Sequence, residues 1–199
     1  MTLRLLLNAI FQIILFTFIP FLWWFFTARK KEKFQTWIGL IKPSFSATPS
    51  AFIIVFLTIG IMFLLGNVLT GSFEDHSIFA DYQFMGLGFS GIVPIVIYAF
   101  FQTGLSEEIL FRGFLGKRLF HKFGFEIGNI IQAILFGIVH GLLLFGNVRI
   151  SQVAFVVAFI SAVAWLMGYV NEKMGNGSIV PSWIIHGLSN MIPAFLILF

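Results

Sequence analysis

Six polar side chains that could take part in acid–base or hydrogen-bond chemistry interrupt long apolar stretches of this sequence. They are Glu107, Glu108, Arg112, His140, His186 and Asn190. An ionisable group in hydrocarbon costs about 2.5–3.5 kcal/mol even on the lenient scale from insertion experiments. So many of them in a chain of 199 residues therefore indicate a functional site.

The two adjacent carboxylates differ in what the local sequence offers them. On a helix, Glu108 and Arg112 are four residues apart and share a face, so they can pair. Glu107 is rotated by about 100° from Glu108 and faces groups of other helices. Glu107 is therefore the candidate general base, and Glu108 with Arg112 is a supporting pair. Alternatively, all three lie in the cytoplasmic headgroup layer, with Arg112 reaching toward water.

The two histidines within apolar segments lie on separate predicted helices. His140 follows Phe136 by four residues and is accompanied by glycines, which permit a close helix approach. His186 and Asn190 are four apart on one face, and both can donate a hydrogen bond. Two donors directed at one point suit an oxyanion, such as the tetrahedral intermediate of peptide hydrolysis. Taken singly, each segment equally fits a structural contact between helices.

The three polar segments together are more informative than any one of them. A carboxylate, an imidazole and a pair of donors on three helices meet the requirements for activating water and stabilising an oxyanion. The chain has no cysteine and no serine in a Gly-x-Ser-x-Gly elbow. Water is therefore the expected attacking group.

Composition places these residues in a membrane protein. Hydrophobic residues make up 59% of the chain and charged residues 10%, against about 25% charged in a typical soluble domain. Segments long enough to cross a bilayer lie at about 3–26, 51–70, 86–112, 126–146, 151–170 and 179–199. We expect an all-α polytopic membrane protein of about six transmembrane helices. One integrated domain would comprise two N-terminal helices in residues 1–85 and the part with the polar residues, 86–199.

Basic residues are concentrated on one side of the predicted spans. Residues 29–42 carry five, residues 117–122 carry three and the loop with Lys173 carries one, whereas the opposite side has only Arg4 and Arg149. This distribution predicts that the basic loops are cytoplasmic and that both termini are outside. The expected location is a bacterial cytoplasmic membrane. The lipid bilayer, with its anionic headgroups, is a simpler partner for a net charge of +4 than nucleic acid.

The polar motifs, taken in order, resemble those of the CPBP intramembrane proteases. This family includes the type II CAAX prenyl endopeptidases and bacterial proteins once labelled abortive-infection (Abi) or bacteriocin-immunity proteins. The likeness covers about residues 86–195, and the first two spans match only in being apolar. The matching motifs are Glu107-Glu108-xxx-Arg112, Phe136-xxx-His140 and His186-xxx-Asn190.

The resemblance implies a CPBP-type bundle of helices with endopeptidase activity on a peptide or membrane protein. Carried over position by position, Glu107 and His140 would activate water. His186 and Asn190 would hold the oxyanion. The site-supporting residues would be Glu108, Arg112 and Phe136.

The family has also been described as metalloproteases. Glu107, His140 and His186 could supply three zinc ligands and leave one position open, but the chain has no His-Glu-x-x-His motif. We favour metal-free glutamate chemistry, with Zn²⁺ as the alternative.

Two other functions stay open on the residues alone. A non-catalytic scaffold or bacteriocin-immunity partner would use the polar site for binding. A small proton or ion transporter would use the buried carboxylates and histidines as a relay, although no internal repeat typical of transporters is present. For an endopeptidase, peptide signals, bacteriocin-related peptides and membrane proteins all fit as substrates.

The predicted depths of the site residues do not agree fully. Counted from the cytoplasmic ends of their spans, Glu107 and His186 lie about 10–15 Å deep, but His140 lies about 20 Å deep. A later start of the fourth helix, after Gly128, would reduce this difference.

Overall fold

The computed structural model describes residues 1–44 and 76–199, together with seven single positions between them. The predicted span 51–70 lies largely outside the described residues. Six helices make up most of the described part. They are α1 (Thr2–Thr27), α2 (Phe34–Trp37), α3 (Gly88–Phe123), α4 (Phe125–Leu144), α5 (Ile150–Met174) and α6 (Val180–Leu196).

Helices α1, α3, α4 and α5 are each long and apolar enough to cross a membrane. They correspond to four of the predicted spans. Helix α6 has 17 residues, a length of about 25 Å at the lower end of what crosses a bilayer. No strand element occurs among the described residues. The prediction of an all-α membrane protein is confirmed.

Helix α3 extends well beyond its predicted end at residue 112. It continues to Phe123, so the predicted basic loop at 117–122 is wrong. The segment is held against the rest of the bundle, since Lys117 Nζ forms an ion pair with Glu172 at 3.1 Å and donates to the carbonyl of Gly177 at 2.7 Å. The basic segment 117–123 therefore packs as part of the helical bundle.

The longer helix removes the predicted mismatch in depth. A single residue, Gly124, joins α3 to α4 with φ 78°, a conformation that glycine adopts without strain. Glu107 lies 17 residues before this turn and His140 lies 16 residues after it. The two side chains therefore reach nearly the same level. The later start of α4 after Gly128, which would also have reduced the mismatch, is not found, because the helix begins at Phe125, close to the predicted start of the span at residue 126.

One end of the bundle contains both the first and the last residues of the chain. The backbone N–H groups of Gly86 and Gly88 donate to the carbonyls of Ile197 and Leu198 at 3.0 and 2.8 Å. Leu5 packs in the same apolar cluster as Leu198. These contacts bring the two ends of the chain to one side of the bundle. That this side faces out stays a prediction from the charge distribution.

The segment around α2 covers the opposite end. The N–H of Ile179 donates to the carbonyl of Gly39 at 2.8 Å, and the hydroxyl of Ser178 donates to the carbonyl of Ile41 at 2.6 Å. The start of α6 is thereby attached to the chain segment that follows α1. This end also carries most of the basic residues.

Helices α4 and α5 pack closely through the glycines beside His140. A Cβ at Gly137 would lie 2.5 Å from the carbonyl oxygen of Val157, and one at Gly141 would lie 2.3 Å from a Val157 methyl carbon. Glycine permits this approach because it has no side chain. Helix α5 thus supports the part of α4 that carries His140.

Candidate active site

Glu108 and Arg112 form a buried ion pair on α3. Their side chains are 0% and 2% exposed, and Nη1 lies 3.1 Å from Oε1. The guanidinium lies over the ring of Phe136 at 4.1 Å, and Nη2 contacts Sδ of Met167 at 3.6 Å. An unpaired buried charge would cost several kcal/mol, so each group stabilises the other. The predicted pairing of Glu108 with Arg112 is present.

The carboxylate of Glu108 is also held by two residues of α6. Its Oε1 accepts a hydrogen bond from Nδ1 of His186 at 3.0 Å, and its Oε2 accepts one from the hydroxyl of Ser182. Ser182 and His186 are four residues apart and therefore share a face. With both oxygens engaged by fixed donors, Glu108 is suited to holding neighbours in place.

Glu107 faces the two histidines. Its Oε2 lies 3.7 Å from Nε2 of His140 and 3.8 Å from Nε2 of His186. These distances are too long for hydrogen bonds, and the buried Oε2 has no hydrogen-bond partner among the described residues. Unlike Glu108, Glu107 keeps an acceptor available for a reacting group.

The other contacts of the imidazoles indicate which nitrogen carries the proton. Nδ1 of His140 lies 2.9 Å from the carbonyl oxygen of Phe136, and since a carbonyl only accepts, Nδ1 donates. Nδ1 of His186 donates to Glu108 in the same way. With neutral rings and an ionised Glu107, Oε2 and both Nε2 atoms are acceptors. A bound donor such as water, placed between them, could satisfy these acceptors.

Phe136 packs against three groups of the site. Its ring centroid lies 4.4 Å from that of His140 and 6.0 Å from that of His186, at 89° to the latter. The third contact is the guanidinium of Arg112, 4.1 Å from the ring centroid. Because Phe136 is buried, it fixes the orientation of both imidazole rings.

Asn190 lies one turn beyond His186 on α6. Its Nδ2 donates to the hydroxyl of Thr103 on α3 at 2.9 Å, and Thr103 donates to the carbonyl of Tyr98 at 3.0 Å. The amide is therefore fixed against the helix that carries Glu107. Within the described part of the chain, the Asn190 side chain bonds to Thr103, which lies one turn before Glu107.

Sequence reasoning did not assign a role to Ser182 or Asn171. Nδ2 of Asn171 donates to the Ser182 hydroxyl at 2.7 Å, and its Oδ1 accepts the Ser182 N–H at 3.1 Å. Ser182, His186 and Asn190 recur every fourth residue, a polar stripe that could have indicated the first of them. Asn171 lies beside Glu172 near the end of α5 and gives no such signal.

The acidic pair lies between two unusually wound parts of α3. Ile97–Leu105 and Ile109–Gly116 are π-helical, and Ser106–Glu108 is α-helical. The Thr103 hydroxyl accordingly bonds to the carbonyl of Tyr98, five residues earlier. π-helical turns are rare in proteins, and those that occur are often found at functional sites. The wider winding changes which side chains face one another along α3.

The predicted alternative metal ligands, Glu107, His140 and His186, converge on one another. No group of three His, Asp or Glu side chains within the described residues has the arrangement of a metal site, however. The zinc content of the active protein is a direct test of this alternative.

Comparison with known proteins identifies the family. A family model described as Type II CAAX prenyl endopeptidase Rce1-like matches residues 89–192, just over half of the 199 residues. No curated protein and no solved structure matches the chain. The matched segment contains all three polar motifs, and the resemblance inferred from them is confirmed. This chain belongs to the Rce1-like family of type II CAAX prenyl endopeptidases.

Proposed function

We propose that this protein is an intramembrane endopeptidase in which Glu107 and His140 activate a water molecule. The observation that carries the proposal is the buried Oε2 of Glu107, which has no hydrogen-bond partner in the described residues and faces Nε2 of His140 at 3.7 Å. A water molecule can bridge two acceptors at this separation with hydrogen bonds of about 2.8 Å. It would donate one hydrogen to each of them.

The hydrolysis then follows general-base catalysis. Glu107 takes a proton from the water while the water oxygen bonds to the peptide carbonyl carbon. The carbonyl oxygen then becomes an oxyanion. As the tetrahedral intermediate collapses, the C–N bond breaks and the proton passes from Glu107 to the leaving nitrogen. His140 orients the water through Nε2, because its Nδ1 is occupied by the carbonyl of Phe136.

His186 and Asn190 are the proposed oxyanion donors. Nδ1 of His186 is engaged with Glu108, so its Nε2, when protonated, is the nitrogen that can donate to substrate. Asn190 has a second amide hydrogen besides the one given to Thr103. Donors fixed where negative charge develops contribute about 10²–10³ in kcat each.

Glu108 and Arg112 support this arrangement without taking part in bond breaking. Their ion pair neutralises both charges in the interior and leaves Glu108 to hold His186. We favour a metal-free reaction, because a carboxylate and two imidazoles already supply the base and the donor. The proposed substrate is a membrane-associated peptide or protein, since Glu107 and His140 lie on helices that are apolar enough to cross the membrane.

The proposal is tested with purified protein in lipid nanodiscs and internally quenched peptides, with and without an S-farnesyl cysteine near the C-terminus. The wild-type protein should cleave at least one set, and mass spectrometry should identify the two fragments. Glu107→Ala and His140→Ala should each abolish cleavage with expression and thermal stability unchanged. Cleavage that survives both substitutions contradicts the assignment, and a wild-type protein without any activity favours a scaffold.

A further inference from the structure

The hydrogen bonds that hold Glu108 continue beyond it into α5. Ser182 donates to Glu108, and the Asn171 amide donates to the Ser182 hydroxyl at 2.7 Å. We propose that Ser182 and Asn171 are positioning residues that fix Glu108 and, through it, His186 for the reaction. This inference rests on the proposed function and adds two residues to it.

These contacts are buried, so each polar group depends on its partner in the protein. Asn171 is 1% exposed and Ser182 and Glu108 are 0% exposed, so water cannot replace a lost donor at low cost. Buried polar groups without partners cost about 1–3 kcal/mol each. Both polar atoms of the Asn171 side chain are directed at Ser182, one at its hydroxyl and one at its backbone N–H.

The direction of the Ser182 hydroxyl depends on Asn171. A hydroxyl has one hydrogen, and here it can go to Oε2 of Glu108 or to the carbonyl of Ile179 at 3.0 Å. The bond to a carboxylate is the stronger of the two. Asn171 occupies a lone pair of the hydroxyl oxygen, which leaves the hydrogen to point at an acceptor. Ser182 therefore holds the Glu108 oxygen that does not contact His186.

The consequence reaches the proposed oxyanion donor. Glu108 holds Nδ1 of His186 at 3.0 Å, and this contact sets where Nε2 lies relative to Glu107. A carboxylate that lost its Ser182 donor could rotate about its terminal bond and carry His186 with it. A displacement of about 1 Å in such a site can cost about 10²-fold in rate.

A second role of Asn171 is structural and has to be separated from the first. Its Oδ1 accepts the Ser182 N–H at 3.1 Å, one of the groups at the start of α6 that lack a partner within the helix. Ser182→Ala keeps this N–H and removes only the hydroxyl. Ser182→Thr keeps both.

The experiment measures kcat, KM and thermal midpoint in nanodiscs, with the quenched peptide that the wild-type protein cleaves best. Ser182→Ala should lower kcat by about 10-fold or more, the effect of losing a partner that orients a histidine at metal sites, with KM and midpoint little changed. Ser182→Thr should restore most of kcat. Ser189→Ala is the matched control, because that hydroxyl donates to the carbonyl of His186 within its own helix at 2.8 Å.

A double-mutant cycle decides the question if the threonine variant does not fold. Asn171→Ala should reduce kcat in the wild-type background but not further in Ser182→Ala, because its catalytic effect passes through that hydroxyl. Independent, additive losses of kcat would overturn the inference. So would wild-type kcat in Ser182→Ala, or a loss that Ser189→Ala reproduces. Glu107→Gln serves as the reference, since its retained activity would instead defeat the proposed function.

Discussion

The carboxylates of Glu107 and Glu108 are adjacent in sequence and face different partners. Glu108 is fully buried and held by Arg112, His186 and Ser182. Glu107 has an oxygen without a hydrogen-bond partner in the described residues, close to Nε2 of two imidazoles. Neighbours on a helix differ by about 100°, so α3 can direct one carboxylate into a rigid network and the other toward a reacting molecule. The two carboxylates thus lie in environments that suit different roles.

Glu107→Gln should lower kcat by at least about 100-fold, the scale of lost general-base catalysis. Glutamine keeps the shape of the side chain and can still donate and accept hydrogen bonds, but its amide cannot take a proton from water. Peptide cleavage measured in nanodiscs, with the thermal midpoint as control, checks this. Activity within tenfold of wild type would assign the base elsewhere.

Glu108→Gln should act mainly on stability. It leaves the buried Arg112 without a counter-charge, and breaking a buried pair costs about 3–5 kcal/mol, so the thermal midpoint should fall while part of the activity remains. The double variant Glu108→Gln/Arg112→Met should recover part of the midpoint, because both charges are gone. Complete inactivity of Glu108→Gln at an unchanged midpoint would indicate direct participation in the reaction.

The features that sequence predicted are those that depend on local spacing or on mean composition. The pairing of Glu108 with Arg112 follows from a separation of four residues. The helices that cross the membrane follow from the length of apolar runs. The order of the motifs identifies the family, which the match to residues 89–192 confirms.

The features that sequence missed depend on tertiary contacts. The extension of α3 to Phe123 is accompanied by the ion pair of Lys117 with Glu172, two residues that are distant in sequence. The Asn171 contact to Ser182 requires the turn between α5 and α6, and the Asn190 contact to Thr103 requires the packing of α6 on α3. The spacing of residues within one helix does not predict which residues of another helix they contact.

Gly137→Ala should lower the free energy of unfolding by about 1–3 kcal/mol, the usual cost of overpacking. The added Cβ would lie 2.2 Å from the Ser161 hydroxyl and 2.5 Å from the Val157 carbonyl, and backbone cannot move aside cheaply. Gly60→Ala is the control, since a Cβ there meets no atom of the described residues within 4 Å. Unfolding in a denaturing detergent measures both. Equal stability of the two variants would contradict the close packing of α4 on α5.

The cysteine-free chain allows a direct test of topology. We expect Gln83→Cys to react with an impermeant maleimide in intact cells and Lys122→Cys to react only after permeabilisation. The reason is the excess of basic residues at the end of the bundle that includes Lys122, and both positions are exposed. The reverse labelling pattern would invert the orientation and place both termini in the cytoplasm.

The final prediction separates glutamate from metal chemistry. If water is activated by Glu107 and His140 alone, the purified protein should keep its activity after exhaustive chelation and dialysis, because no step needs a Lewis acid. Added Zn²⁺ should then give no more than a small change. Metal analysis of the active protein is the matching measurement. Stoichiometric zinc in the wild-type protein, lost in both His140→Ala and His186→Ala, would instead show that these side chains are ligands and that a metal-bound water is the nucleophile.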